Sequence, residues 1–185
     1  MQARAVCTKI LFCAGLGLLL PSSGYADGLS REAVEAYYTE MVKMNSELKE
    51  GFEDLERFVS FLDENLSDDF QHQASTYIQC AKEPVEVTTL DKESLIDIYK
   101  QVGVDNFESY KIDMQSIDIS DDAMNADVSY VISISDPGKG EAFHVKCLGR
   151  AHHVWDPARQ RTVIKSQSCE EHVTIGTAPD SCVAQ

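Results

Sequence analysis

The stretch "CLGRAHHVWDPARQRTVIKSQSC", Cys147 to Cys169, decides how the C-terminal half folds: it is either a metal-binding segment or a β-hairpin closed by a disulfide. On an extended strand successive side chains point to opposite faces. Phe143, Val145, Cys147, Gly149, Ala151, His153 and Trp155 then share one side, and His144, Lys146, Leu148, Arg150, His152 and Val154 the other. His152 and His153 therefore diverge and cannot serve one ion on an unbroken strand. Cys147 and His153 share a face, but six strand residues separate them by roughly 20 Å. Ligand bonds are near 2 Å, so a compact metal site fails on distance and none is expected.

The hairpin reading succeeds where the metal reading fails. With a turn at "DPARQ" centred on Ala158, the numbers of facing residues add to 316, and Cys147 faces Cys169. A non-hydrogen-bonded antiparallel pair has Cα atoms about 4.5 Å apart, which a disulfide tolerates. The expected bond is Cys147–Cys169, which leaves Cys80 and Cys182 to each other. The same register places His144 opposite His172 on the other face, where both read as surface imidazoles beside Lys146, Glu170 and Glu171.

Working outward, Met124 to Ile134 alternates cleanly between apolar and polar residues, flanked by the turn sequences "SDD" and "DPGKG", as successive antiparallel hairpins require. Phe107 to Ile119 is apolar at Tyr110, Ile112 and Met114, then changes phase to Ile117 and Ile119, which predicts a bulge near Gln115. Upstream, Ser30 is placed to cap a helix with Leu29 and Val34 as its hydrophobic staple. Apolar residues then recur at three- and four-residue spacing, interrupted by Gly51. Two helices are expected, Ser30 to about Lys49 and Phe52 to about Leu66, or one long kinked helix. Short strands follow at about Ala74 to Gln79 and Val85 to Thr88. A further helix is capped by Asp91, stapled by Leu90 and Leu95, and stopped by Gly103.

Residues 1–26 have the organisation of a secretory signal peptide: Arg4 and Lys9, an apolar run from Ile10 to Leu20, Pro21, then Gly24 and Ala26 ahead of the cleavage point. The run of 11 residues is well short of the roughly 20 that a spanning helix needs, so no transmembrane segment is expected after cleavage. The expected location is periplasmic or secreted. Cleavage removes 26 of 185 residues, two of the 16 basic residues and none of the 31 acidic ones, leaving 159 residues of net charge −17. That charge argues against nucleic-acid binding, in which phosphate contacts dominate affinity. Four cysteines remain, the even count typical of disulfides in an exported chain. Residues 27–176 suit one domain, and 177–185 read as an irregular tail.

The element order, a long helical stretch ending in "FLDENLSDDF", a small hairpin, a helix beginning "TTLDKESLIDIYKQ", then long antiparallel strands with Trp155 before the last turn, resembles the nuclear-transport-factor-2-like (SnoaL-like) superfamily. The resemblance covers about Ser30 to Ile175. It implies an α+β fold in which N-terminal helices pack inside a strongly bent antiparallel sheet, forming a cone with an apolar pocket. It also implies functions ranging from isomerases and dehydratases to ligand binders and docking domains, with a homodimer through the open side of the sheet plausible.

Tyr37, Tyr38, Tyr110, Tyr130, Phe143, His153 and Trp155 are the candidates to face the cone interior. Family enzymes place an Asp, His or Tyr acid–base group there, and nothing in the spacing selects one set from these residues. Lys146, Arg150 and nearby Arg161 form a basic face suited to docking, in contrast to the acidic first helix. The sequence contains no GxSxG, HExxH, P-loop or calcium-loop pattern. The expected function is a non-catalytic envelope module, without cofactor, that docks a protein partner or binds a small apolar ligand. The alternative is a pocket enzyme of isomerase or hydratase type. A buried, unpaired polar group at the bottom of an open cavity would favour chemistry, and a cone filled by Phe143, Trp155 and the tyrosines would favour docking.

Overall fold

The computed structural model describes residues 28–47, 52–79, 81–102, 109–136 and 143–175. The signal segment, Gly51, Cys80, Gly103, Phe107, Cys182 and the C-terminal tail lie outside the described residues, as does the side chain of Phe143. Three helices, α1 (Arg31–Glu47), α2 (Phe52–Asn65) and α3 (Lys92–Val102), accompany six strands: β1 (Leu66–Ile78), β2 (Glu86–Asp91), β3 (Ser109–Ile119), β4 (Asn125–Asp136), β5 (Phe143–Asp156) and β6 (Arg161–Ile175). The caps form as the sequence requires. Ser30 Oγ accepts from the backbone N–H of Ala33 at 3.1 Å, and Asp91 Oδ1 accepts from that of Ser94 at 2.8 Å.

The strands form one sheet in the order β2-β1-β6-β5-β4-β3. It is mixed rather than wholly antiparallel, because the C-terminal strand β6 enters between β5 and β1 and runs parallel to β1. The phase change read in the sequence is a bulge at Gln115 between Met114 and Ser116. Two further irregularities lie between Leu66 and Gln71 and between His152 and His153. Bulges bend and twist a strand, and the sheet curls round α1, α2 and α3. Val34, Tyr38, Phe58, Leu62, Phe70 and Tyr130 lead the core, none more than 5 % exposed. Gly149 faces Tyr130 across β4 and β5, and a Cβ there would overlap the tyrosine ring. Glycine at this position lets the ring lie over the neighbouring strand.

Helix α2 runs directly into β1, so its last carbonyls need partners from elsewhere. Its final turn holds no basic residue. Lys92 Nζ donates to the carbonyls of Asp63 at 2.7 Å and Leu66 at 3.3 Å, and Arg159 donates to Leu66 at 3.2 Å. These cations from α3 and the β5–β6 turn complement the negative end of the helix dipole. They also fix the place where helix and strand diverge, which is one edge of the candidate site.

The register of β5 against β6 differs from the expected one. The turn holds four residues, 157–160, with Asp156 opposite Arg161. Asp156 Oδ1 accepts from the N–H groups of Ala158 and Arg159 at 2.9 and 3.1 Å, and Gln160 closes the turn at φ 49°. The irregularity at His152/His153 adds one more residue on β6. Cys147 consequently faces Glu171, Cys169 faces Gly149, and the disulfide joins the cysteines diagonally with Cα atoms 5.7 Å apart. His144 faces Thr174, and His172 faces Lys146 while stacking on Tyr77 at 4.9 Å. The expected His144–His172 pairing is thereby corrected.

Candidate functional site

Alternation along β5 puts Cys147, Gly149, Ala151 and His153 into the core and leaves Leu148 and Arg150 exposed. His153 is 1 % exposed. Its Nε2 lies 3.0 Å from the hydroxyl of Tyr38 on α1. Tyr37 meets the imidazole edge-on at 5.8 Å and stacks on Phe61 at 5.3 Å, while Tyr38 packs on Tyr130 at 5.2 Å. Gln167 donates from Nε2 to the Tyr130 hydroxyl.

Burial governs the protonation of this cluster. It raises Tyr37 and Tyr38 well above the ordinary phenol value, with the neighbouring Tyr130 contributing in the same direction. Burial likewise raises Tyr110, and takes Tyr130 up to about 12 against the opposing effect of the Gln167 hydrogen bond. His153 falls to about 4, chiefly through burial and secondly through His152. At neutral pH the phenols are protonated and the imidazole is neutral. The contact forms in either sense: the Tyr38 O–H donates to Nε2 with the imidazole proton on Nδ1, or Nε2–H donates to the Tyr38 oxygen. Nδ1 has no hydrogen-bond partner among the described residues, and neither has the buried Oγ1 of Thr162.

His153 and Thr162 both line an open cavity of about 430 Å³ between the start of α1, the end of α2 and the β5–β6 hairpin. Tyr37, Trp155, Asn65 and Arg161 complete its principal walls. Trp155 is the chain's single tryptophan. Arg161 is held in place, donating to Glu64 Oε2 at 3.2 Å and Asn65 Oδ1 at 2.9 Å.

Of the residues expected in the cone, Tyr37, His153 and Trp155 line this cavity, while Tyr38 and Tyr130 stand behind it in the core. Tyr110 is half-buried on β3, opposite Ile134. Arg161 belongs to the cavity wall rather than to an open basic face. Lys146 and Arg150 are on the outer face of the sheet. Arg150 lines a polar groove of about 710 Å³ there, with Ser129, Ser168, Gln73 and the 2.8 Å His152–Asp127 pair. Sequence reasoning missed Thr162, Asn65 and that pair. In the expected register Trp155 faces Arg161; in the observed one it faces Thr162. Among the described residues no three His, Cys, Asp or Glu side chains converge to hold a metal, and no helix is long and apolar enough to cross a membrane.

No protein-family model and no curated protein matches the chain. Solved structures do match its fold. A conserved protein from Planctomyces limnophilus superposes with TM-score 0.55 at 10 % identity over 76 % of this chain and 94 % of its own. A nuclear-transport-factor-2-like protein of unknown function from Prochlorococcus sp. NATL2A gives 0.52 at 13 % identity over 82 % and 96 %. A similarly described protein from Shewanella oneidensis gives 0.52 at 10 % identity over 75 % and 97 %. The chain thus has the α+β cone of the nuclear-transport-factor-2-like fold. Likeness at this identity establishes the fold alone, since one fold hosts many functions.

Proposed function

We propose that this chain is an exported envelope protein that holds a small molecule in the cone cavity without transforming it. The observation that carries the reading is the pair of buried polar atoms without partners among the described residues, His153 Nδ1 and Thr162 Oγ1, on residues lining an open cavity with both polar and apolar walls. A large concave pocket with a few convergent polar groups is the default binding-site arrangement. An unpaired buried polar group also satisfies the criterion set for chemistry. The depressed basicity of His153 weighs on the other side, because a general base works best with a pKa near the operating pH. A neutral imidazole of such low basicity is poorly suited to removing a proton. Export is supported by the signal-like N-terminus and by the Cys147–Cys169 disulfide.

The test is a thermal-shift and fluorescence screen of a small-molecule library, with Trp155 as the built-in reporter of cavity occupancy. At least one compound should raise the melting temperature and perturb Trp155 emission, and His153→Phe should weaken its binding. Hits that leave Trp155 unperturbed would place binding elsewhere and refute the reading.

A second reading, docking of a protein partner or of another copy on the outer sheet face, draws support from the groove around Arg150. That guanidinium has no ion-pair partner among the described residues, although 31 acidic residues are present in the chain.

A further inference from the structure

Independently of what the cone cavity holds, we infer that the groove around Arg150, on the opposite face of the sheet, is a binding site for a zwitterionic α-amino acid whose carboxylate meets Arg150 and whose ammonium lies between Asp118 and Asp127.

The strand register builds the groove in rows. Ser129, Arg150 and Ser168 occupy facing positions on β4, β5 and β6, and Asp118, Asp127 and His152 form the adjacent row on β3, β4 and β5. All six line the same groove of about 710 Å³.

Its charges are arranged for a ligand that carries both signs. Asp118 and Asp127 face each other directly across β3 and β4, and like charges in that position destabilise a strand pair. His152 meets one oxygen of Asp127 at 2.8 Å, while the side chain of Asp118 has no hydrogen-bond or ion-pair partner among the described residues. Arg150 shares the groove yet forms no ion pair with either carboxylate. An anion drawn to Arg150 is repelled by the two aspartates, and a simple cation drawn to the aspartates is repelled by Arg150. A zwitterion satisfies both poles: its carboxylate takes two parallel N–H donors from the guanidinium, and its ammonium gives Asp118 and Asp127 a shared donor.

Spacing narrows the class to molecules whose two charges are close together. Ser129 faces Arg150, and Asp127 lies two residues before Ser129 on β4, so Asp127 is the diagonal neighbour of Arg150 in a stretch of β4–β5 pairing without irregularity. Diagonal positions are about 7–8 Å apart. An α-amino acid carries both charges on one carbon, and these two side chains reach it from either side. The neighbouring walls, Ser116, Ser168 and Gln73, are hydroxyls and an amide, which suit a polar side chain on the ligand.

The experiment uses the processed, oxidised protein labelled with 15N. Three matched probes are titrated: L-glutamine, 4-aminobutanamide, which lacks the carboxylate, and glutaramate, which lacks the ammonium. Glutamine should move the backbone cross-peaks of Ser129, Arg150 and Ser168 saturably, leave the Trp155 indole peak in place, and bind about tenfold more tightly than either analogue. Arg150→Gln should reduce glutamine to the affinity of 4-aminobutanamide. Asp118→Asn combined with Asp127→Asn should reduce it to that of glutaramate. These three side chains are exposed, and an unmoved Trp155 peak in each variant confirms that the fold is intact. Either analogue binding as well as glutamine overturns the inference. Silence of the groove peaks with all three probes also overturns it, including the case in which sedimentation shows a second copy covering this face. A response at Trp155 instead would overturn it while leaving the cavity reading standing.

Discussion

The hydroxyl of Tyr38 meets Nε2 of His153 at 3.0 Å, joining α1 to β5 across 115 residues of sequence. The contact takes up one imidazole nitrogen and leaves the other, Nδ1, without a partner among the described residues. Tyr38→Phe removes the hydroxyl partner and strands Nε2. The loss should be about 1–3 kcal/mol in urea unfolding, and the 15N signals of His153 should show mixed tautomers where the parent shows one. A single unchanged tautomer in the variant would refute the assignment.

Stability should depend on pH through the same histidine. A His is near 6.5 when unfolded and His153 is near 4 when folded, so the unfolded chain binds more protons in between. Stability contributed by burying the neutral ring is complete above about pH 6.5 and is lost as pH falls toward 4, a change on the order of 3 kcal/mol. His72, also lowered by burial, acts in the same direction. Chemical denaturation at intervals from pH 7 to 4 should give this slope, and His153→Phe should flatten it. An identical slope in parent and variant would count against the protonation state.

Gly149→Ala places a methyl group where the Tyr130 ring lies. The ring cannot retreat without disturbing Tyr38 and its bond to Gln167. A destabilisation of about 1–3 kcal/mol is expected. Gly149→Ala combined with Tyr130→Ala should recover part of it, since the clash partner is gone. A lack of coupling in that cycle would show that the ring is not the obstacle.

Processing after Ala26 would leave Asp27 as the first residue, two positions before buried Leu29, whose N–H donates to the carbonyl of Ala123 at 2.6 Å. Edman sequencing of protein recovered from the cell envelope should begin Asp-Gly-Leu-Ser. A chain retaining its first 26 residues in the cytoplasm would contradict export.

If the outer groove docks a partner, truncating Arg150 together with Lys146 should weaken association, and the parent association should decline with added salt. Sedimentation and pull-down behaviour identical to the parent would eliminate that face.

The C-terminal strands were legible because their alternation is strict: Ala126, Val128 and Tyr130, and Gly149, Ala151 and His153, all lie on the core side as read. The bulge at Gln115 left a phase change visible in the chain itself. The first half of β1 was hidden. Leu66, Phe70 and Ala74 are its buried apolar residues, four apart, and the irregularity between Leu66 and Gln71 breaks the two-residue period that marks a strand. The disulfide was legible although the register behind it was not, because adjacent rungs bring diagonal cysteines as near as facing ones. The cavity was half legible. Tyr37, His153 and Trp155 follow from periodicity, whereas Asn65 and Thr162 depend on how α2 ends and on the length of one turn, which patterns of hydrophobicity do not encode.

Cys147 and Cys169, 22 residues apart in sequence, enclose His153, Trp155, Arg161, Thr162 and Ile164 in one covalent ring. For a loop of this size the entropy of closure is worth about 3 kcal/mol, and an oxidised chain does not lose it again each time it folds. The sheet half of the cavity wall is therefore confined to one short loop even in the denatured ensemble, whereas Tyr37 and Asn65 on the helices lie outside it. Refolding then starts from a chain in which these residues are already held within one closed loop.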